Sequence, residues 1–285
     1  MGDVWAAGDA YEDYVGRWSR RVANPFLHWL DVPARRRWLD VGCGTGALTA
    51  AILALTDPAQ VIGVDTSEGF LSRARAQVTD TRASFHLADA RSLPLPVPPP
   101  SLPPLPPLPP PLPDHRRRFD AVVSGLALNF VPEPHSAVAE FGRVAAEGGM
   151  VAAYVWDYGE GMAMMRHFWD AATALDRAAA ELDEGRRFPL CRPEPLHRLW
   201  TDSGLDEVTV EPIEVPTMFT GFDDYWWPFL GGQGPAPAYV TSLTEEHRRD
   251  LRDLLRTRLP TAPDGSIPLT ARAWAVKGTR TTAGR

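Results

Sequence analysis

Arg37-Trp38-Leu39-Asp40-Val41-Gly42-Cys43-Gly44-Thr45-Gly46-Ala47-Leu48-Thr49 is the stretch on which the reading of this chain turns. Trp38 to Val41 is short, mostly apolar and stopped by glycine, which predicts a buried strand. Three glycines at alternate positions follow, and Ala47 to Leu55 has helical composition. A strand that runs through a glycine turn into a helix presents backbone N–H groups to a ligand. Glycine permits close approach, and the helix N-terminus carries partial positive charge. By spacing alone, Gly42-x-Gly44-x-x-Ala47 also fits the pattern G-x-G-x-x-G/A of dinucleotide sites. Asp40, two residues ahead of the first glycine, and the tighter Gly42-x-Gly44-x-Gly46 spacing separate the two readings.

With those features the segment resembles motif I of class I S-adenosylmethionine-dependent methyltransferases of the ubiquinone/menaquinone-biosynthesis type. The resemblance implies an α/β fold. Its core is a doubly wound, Rossmann-like, seven-stranded sheet, parallel with an antiparallel last strand, and it carries helical lid insertions. It implies S-adenosylmethionine as cofactor, with the loop of Gly42, Cys43, Gly44 and Gly46 around the methionine part and Asp40 facing its amino group.

Composition narrows the alternatives. The 285 residues are 44% hydrophobic and 23% charged, with net charge -7, enough chain for one large α/β domain with insertions at 158–204 and 219–262. No apolar run approaches the ~20 residues of a membrane span, and Met1-Gly2-Asp3-Val4-Trp5 lacks the character of a secretion signal. Cys43 and Cys191 are the two cysteines, so a reduced, cytoplasmic setting without a disulfide framework or zinc site is expected. Lys277 is the one lysine, which removes the P-loop, the Schiff-base enzymes and the Tyr-x-x-x-Lys dehydrogenases. An acidic chain also lacks the footprint of a nucleic-acid binder.

Taken in order, residues 1–34 form an aromatic-rich N-terminal cap in which Tyr11 to Ser19 resembles a Tyr-x-x-Tyr-x-x-Arg-Trp-Ser segment of the family. Tyr14 and Arg17 share a face if that segment is helical, with Arg17 either paired to the cofactor carboxylate or solvated. Val61 to Asp65 reads as a second strand. Asp65 stands where an acid accepts from ribose hydroxyls, and Thr66-Ser67-Glu68 caps the next helix. Ser84 to Ala90 reads as a third strand, and by resemblance Asp89, beside Ala90, accepts from the adenine amino group. Thirteen of the 29 prolines lie between Leu93 and Asp114, so the stretch 94–118 is expected as an extruded polyproline loop.

Phe119 to Val131 resembles the family's fourth strand and turn, placing Ser124, Leu126 and Asn129 beside cofactor and acceptor. Pro134 to Val144 reads as a helix broken by Glu147-Gly148-Gly149, and Met150 to Asp157 as the fifth strand. Asp206 to Met218 and Leu269 to Gly278 supply the last two strands.

Methyl transfer from a sulfonium is an in-line displacement with an excellent leaving group, so alignment and exclusion of water dominate. A general base is needed only where the acceptor must lose a proton. His135 is the first candidate, then His167 and Asp157. Trp18, Trp156, Trp226 and Trp227 suit a hydrophobic or aromatic small-molecule acceptor, or else form the lid's own core. The expected state is a monomer or homodimer without nucleic-acid or membrane partners. Two other classes share these motifs: a nicotinamide-dependent oxidoreductase, and a catalytically silent binding module using the proline segment.

Overall fold

The computed structural model describes residues 16–93, 118–231 and 234–281; Tyr11, Tyr14, the proline-rich residues 94–117 and the tail from 282 lie outside them. Helix α1 (Arg17–Leu30) precedes the sheet and buries Trp18, Val22, Phe26 and Leu30 at helical spacing. Strand β1 (Arg37–Val41) then leads to α2 (Ala47–Leu55), β2 (Gln60–Asp65), α3 (Glu68–Gln77), β3 (Ala83–Leu87) and β4 (Phe119–Gly125). After a short 3₁₀ turn at Leu128–Phe130 come α4 (Pro134–Val144) and β5 (Ala145–Trp156). The remainder comprises α5 (Ala163–Leu175), α6 (Pro193–Asp202), β6 (Asp206–Phe219), α7 (Pro235–Ser242), α8 (Glu245–Arg258) and β7 (Ile267–Thr279).

The sheet has seven strands in the order β3-β2-β1-β4-β5-β7-β6. β3, β2, β1, β4 and β5 run parallel. β7 runs against β5, since Gly148 N donates to Arg280 O while Asp157 N donates to Arg272 O. This is the doubly wound sheet with an antiparallel strand expected from the motifs. Its order reverses at β1 and β4, the position where open α/β sheets present a crevice beyond their strand ends.

The described residues fall into two compact units. The first holds Ala23–Tyr154, Leu196–Glu211 and Ala275 onward, and contains the parallel strands. Its centre is Trp38, Val61, Val64, Ala121, Val122, Val123, Val151 and Ala152, all 2% exposed or less. Trp200 on α6 donates its Nε1–H to Val151 O at 2.9 Å, so the largest side chain of that helix is buried with its polar atom satisfied. The single lysine, Lys277, donates to Trp29 O at 2.9 Å and lies over that indole.

The second unit comprises residues up to Val22, Val155–Pro195 and Pro212–Trp274. Its core is aromatic. Phe168 stacks on Phe229 at 4.4 Å and 11°, Tyr225 lies 5.4 Å from both Phe229 and Phe219, and the Tyr225 hydroxyl donates to Met164 O. Of the two roles open to the aromatic insertion, self-packing is the one seen for Tyr225 and Phe229, both fully buried.

α4 ends at Val144 as the sequence reading has it, but β5 starts at Ala145 rather than Met150, so Gly148 and Gly149 lie inside the strand and not ahead of it. Phe119 pairs with Ala145 but Ala121 with Met150, so the extra residues are taken up as a bulge at the start of the strand. The two glycines answer different needs. Gly148 has φ +69° with open space around it, whereas a Cβ on Gly149 would meet Ala146 O at 2.8 Å and Phe119 O at 3.1 Å. Gly148→Ala is therefore expected to cost about 1 kcal/mol of backbone strain. Gly149→Ala, whose neighbours are unyielding backbone, should cost about 2–3 kcal/mol. Urea unfolding of the two variants measures the difference; equal losses would refute the assignment.

Candidate functional site

The glycine loop is anchored before it reaches any ligand. Gly42 N and Cys43 N both donate to Val64 O on β2, at 2.8 and 3.0 Å. All three glycines have positive φ, but for separate reasons. A Cβ on Gly42 would sit 2.5 Å from the Ala127 Cβ, so this glycine lets the turn after β4 close on the loop. Gly46, the N-cap of α2, faces Val78, Ala74 and Phe85 at 3.1–3.5 Å. Gly44 has nothing within 4 Å of its would-be Cβ, so its surface is the one left open for close approach.

Asp40 is wholly buried. Its Oδ2 accepts from Thr49 Oγ1 at 2.7 Å, and its Oδ1 has no hydrogen-bond partner. Burial pushes the carboxyl up to about 7, the Thr49 hydroxyl opposes that rise, and the nearby Asp65 charge adds to it. Asp65 accepts from Gly44 N at 3.0 Å and from Ser67 N at 2.8 Å, tying the glycine loop to the start of α3. Each of its oxygens still has a lone pair free for a hydroxyl. Ser67, rather than Thr66, caps α3, accepting from Phe70 N, and Thr66 is exposed.

Asp89 departs from the expected picture. β3 ends at Leu87, earlier than the predicted Ala90, and Asp89 lies in the turn beyond it. The Arg91 side chain makes three bonds to its two oxygens at 2.7 to 3.3 Å and the Arg91 backbone N–H adds a fourth, holding the carboxyl down to about 2. Ala88 N donates to Asp65 O, so the ends of β2 and β3 are joined, but the Asp89 carboxylate is occupied by its neighbour. Ala90 is half-buried beside it.

At the end of β4, Ser124 is buried and Leu126 adopts φ +58°, donating its N–H to Tyr154 O at 2.8 Å. A leucine in the left-handed region stores of order 1 kcal/mol or more of strain, held here by the strand on either side. Asn129 follows in the 3₁₀ turn with its Nδ2 buried and unpartnered. His135 is the second residue of α4 and exposed, as befits a helix-start residue.

Arg17, Trp18, Trp156, Trp226 and Trp227 belong to the second unit. Arg17 is part-buried, and its Nη1 donates to Asp224 Oδ1 at 2.8 Å. Trp18, Trp156 and Trp226 are buried, while Trp227 is 67% exposed. Asp157 is also spent, because Arg272 donates to its Oδ2 from Nε and Nη2 at 2.8 and 2.6 Å and Glu160 N binds its Oδ1. His167 is half-buried, and desolvation lowers its pKa from the ordinary histidine value, opposed by the Asp170 charge. Sequence reading passed over Glu184, a buried carboxyl raised to about 8 by burial, which accepts from Trp169 Nε1 beside the Arg166–Asp183 pair. It also passed over Thr49, whose only signal was a hydroxyl on an otherwise apolar helix nine residues after Asp40.

No helix among the described residues is long and apolar enough to cross a membrane, and they hold no group of three potential metal ligands. Residues 39–151 match the family described as methyltransferase domain. Over 58% of its length the chain is 34% identical to trans-aconitate 2-methyltransferase of Methylobacterium radiotolerans, covering 66% of that protein. It is 27% identical to methyltransferase GfsG of Streptomyces halstedii, over 79% of this chain and 74% of that one. The matches to four further curated relatives span from 28% to 49% of their lengths. Among solved structures, the YcgJ protein of Bacillus subtilis shares the fold with a TM-score of 0.55 at 16% identity, covering 92% of this chain and 99% of that one.

The buried Asp40 carboxyl makes stability depend on pH. Its folded pKa, about 7, lies above the unfolded 3.8, so its contribution is fully present below about pH 4 and is lost as pH rises toward 7. Asp40→Asn, which mimics the protonated form, should therefore match the wild type near pH 4 and exceed it near pH 8 by up to about 4 kcal/mol. Urea titrations at the two pH values test this, and a variant less stable at both would show that Asp40 is ionised and paired in the ligand-free fold.

Proposed function

We propose that this chain, whose residues 39–151 match a methyltransferase domain, is a class I S-adenosylmethionine-dependent enzyme that transfers a methyl group to a hydrophobic or aromatic small molecule. The observation that carries the reading is the Asp40 Oδ1. A buried carboxylate oxygen without a donor is costly, and a cationic ligand group removes the cost. In this reading Asp40 takes the amino group of the cofactor and the open face of Gly44 admits the methionine backbone. Asp65 takes the ribose hydroxyls through its remaining lone pairs, with Cys43 and Ser124 packed alongside. S-adenosylmethionine, when bound, supplies an electrophilic methyl on a sulfonium.

What the protein contributes is alignment and dryness. The strained turn at Leu126 and the buried Asn129 amide border the same loop through the Gly42–Ala127 contact, and in this reading they bound the acceptor's reacting group. Asp157 is held by Arg272 and positions backbone rather than taking a proton, which leaves His135 and His167 as candidate bases for a hydroxyl or amine. A relative named for trans-aconitate supports a small organic acceptor.

Calorimetry with S-adenosylmethionine tests the proposal. Binding is expected to be about tenfold weaker near pH 6 than well above pH 7, as protonation of Asp40 competes, and Asp40→Asn should abolish that dependence together with most of the affinity. Heat with a nicotinamide dinucleotide and none with S-adenosylmethionine would overturn it in favour of an oxidoreductase.

A further inference from the structure

The second unit contains a cluster of polar atoms that the reading above leaves unused. Arg17 opens α1, and its guanidinium lies over two rings, 4.6 Å from the Trp18 centroid and 4.6 Å from that of Phe219. The two rings meet edge to face, 5.5 Å apart at 69°, so they pack against the guanidinium from adjacent sides. Asp224 orients it, taking Nη1 on Oδ1 while Oδ2 is engaged by the N–H and hydroxyl of Thr220. The pairing is single. Nε and Nη2 of Arg17 are buried and have no partner. Their N–H bonds point the same way and form the side-on fork that matches the two oxygens of a carboxylate.

Two further buried polar atoms lack partners on the same elements. Trp18, 3% exposed, has a free Nε1–H, and Thr217, 1% exposed, has a free Oγ1. Thr217 lies two residues before Phe219 on the buried face of β6. The first turn of α1 is bound to this stretch of strand, because Arg21 donates to Pro216 O and lies over Trp18. Arg17 and Arg21 set against Asp224 leave one positive charge. Buried donors without acceptors cost ~1–3 kcal/mol each, more when charged, so a fold that keeps several of them on neighbouring residues is suited to an anion.

We propose that the free Arg17 fork, with Thr217, binds the carboxylate of a small organic acid and so selects acids among otherwise similar apolar molecules. The site does not depend on the methyltransferase reading. The competing source of the same chemistry is the cofactor's own carboxylate.

The test is a titration of the full chain followed by NMR of the arginine Nε–H groups, with Arg17 assigned by the signal lost in Arg17→Lys. Benzoate is expected to shift the Arg17 signal saturably and benzamide to leave it in place. Thr217→Val should weaken benzoate about tenfold, with an unchanged melting temperature. Should Arg17→Lys fail to fold, Asp224→Asn supplies the assignment by moving the same signal. Equal responses to benzoate and benzamide, or none, would overturn the proposal. So would a shift on adding S-adenosylmethionine that benzoate competes away, since the occupant would then be the cofactor. Absence of S-adenosylmethionine binding with a normal benzoate response would instead sink the methyl-transfer reading and leave an acid-binding site standing.

Discussion

A carboxyl group enclosed by protein, with one oxygen bound to Thr49 and the other bound to nothing, sets the terms for the parallel-stranded unit. Water would ordinarily solvate such a group, and its exclusion is what raises the pKa toward neutrality. The surrounding design keeps that oxygen bare. Gly42 and Cys43 hang the loop from Val64, Ala127 closes over Gly42, and Asp65 fixes Gly44 from the neighbouring strand. None of these contacts supplies a donor to Asp40. The natural complement is a positive charge from outside the chain, as the amino group of an amino-acid-derived cofactor would be.

The second unit poses the inverse problem. Its core is built from packed aromatic rings, yet at the start of α1 a guanidinium lies against Trp18 and Phe219 with its Nε and Nη2 unengaged. Asp224 holds Nη1, so part of the entropy cost of placing the remaining edge is already met. Other charges of this unit are paired or suppressed: Arg272 neutralises Asp157, Arg166 neutralises Asp183, and burial raises the Glu184 carboxyl to about 8. Arg166 and Arg252 each leave Nε alone unpartnered, whereas Arg17 leaves the Nε and Nη2 pair that makes a fork.

Much of this could be read from residues alone. Periodicity and glycine placement located all seven strands, because strands buried on both faces read as short apolar runs and an α/β connection needs a turn where the helix starts. The acidic strand ends Asp40 and Asp65 were recognisable for the same reason: a charged residue closing an apolar run has to meet something other than core. Asp89 was equally recognisable as an acid. Its occupation by Arg91, two residues on, depends on a local turn that composition does not specify. The start of β5 was misplaced because glycine signals both a break between elements and a strand bulge, and only the pairing of Phe119 and Ala121 with β5 distinguishes them.

What the sequence determined by itself was the class of fold, the kind of cofactor loop and the exclusion of chemistries that need lysine or paired cysteines. These follow from which residues are present and how far apart they stand. Tertiary structure alone decided which of those residues are free to act. Asp157 is held by Arg272, 115 residues further on, Asp40 keeps one bare oxygen, and Arg17 keeps two bare nitrogens, since whether these atoms have partners depends on residues brought close by folding rather than by order along the chain.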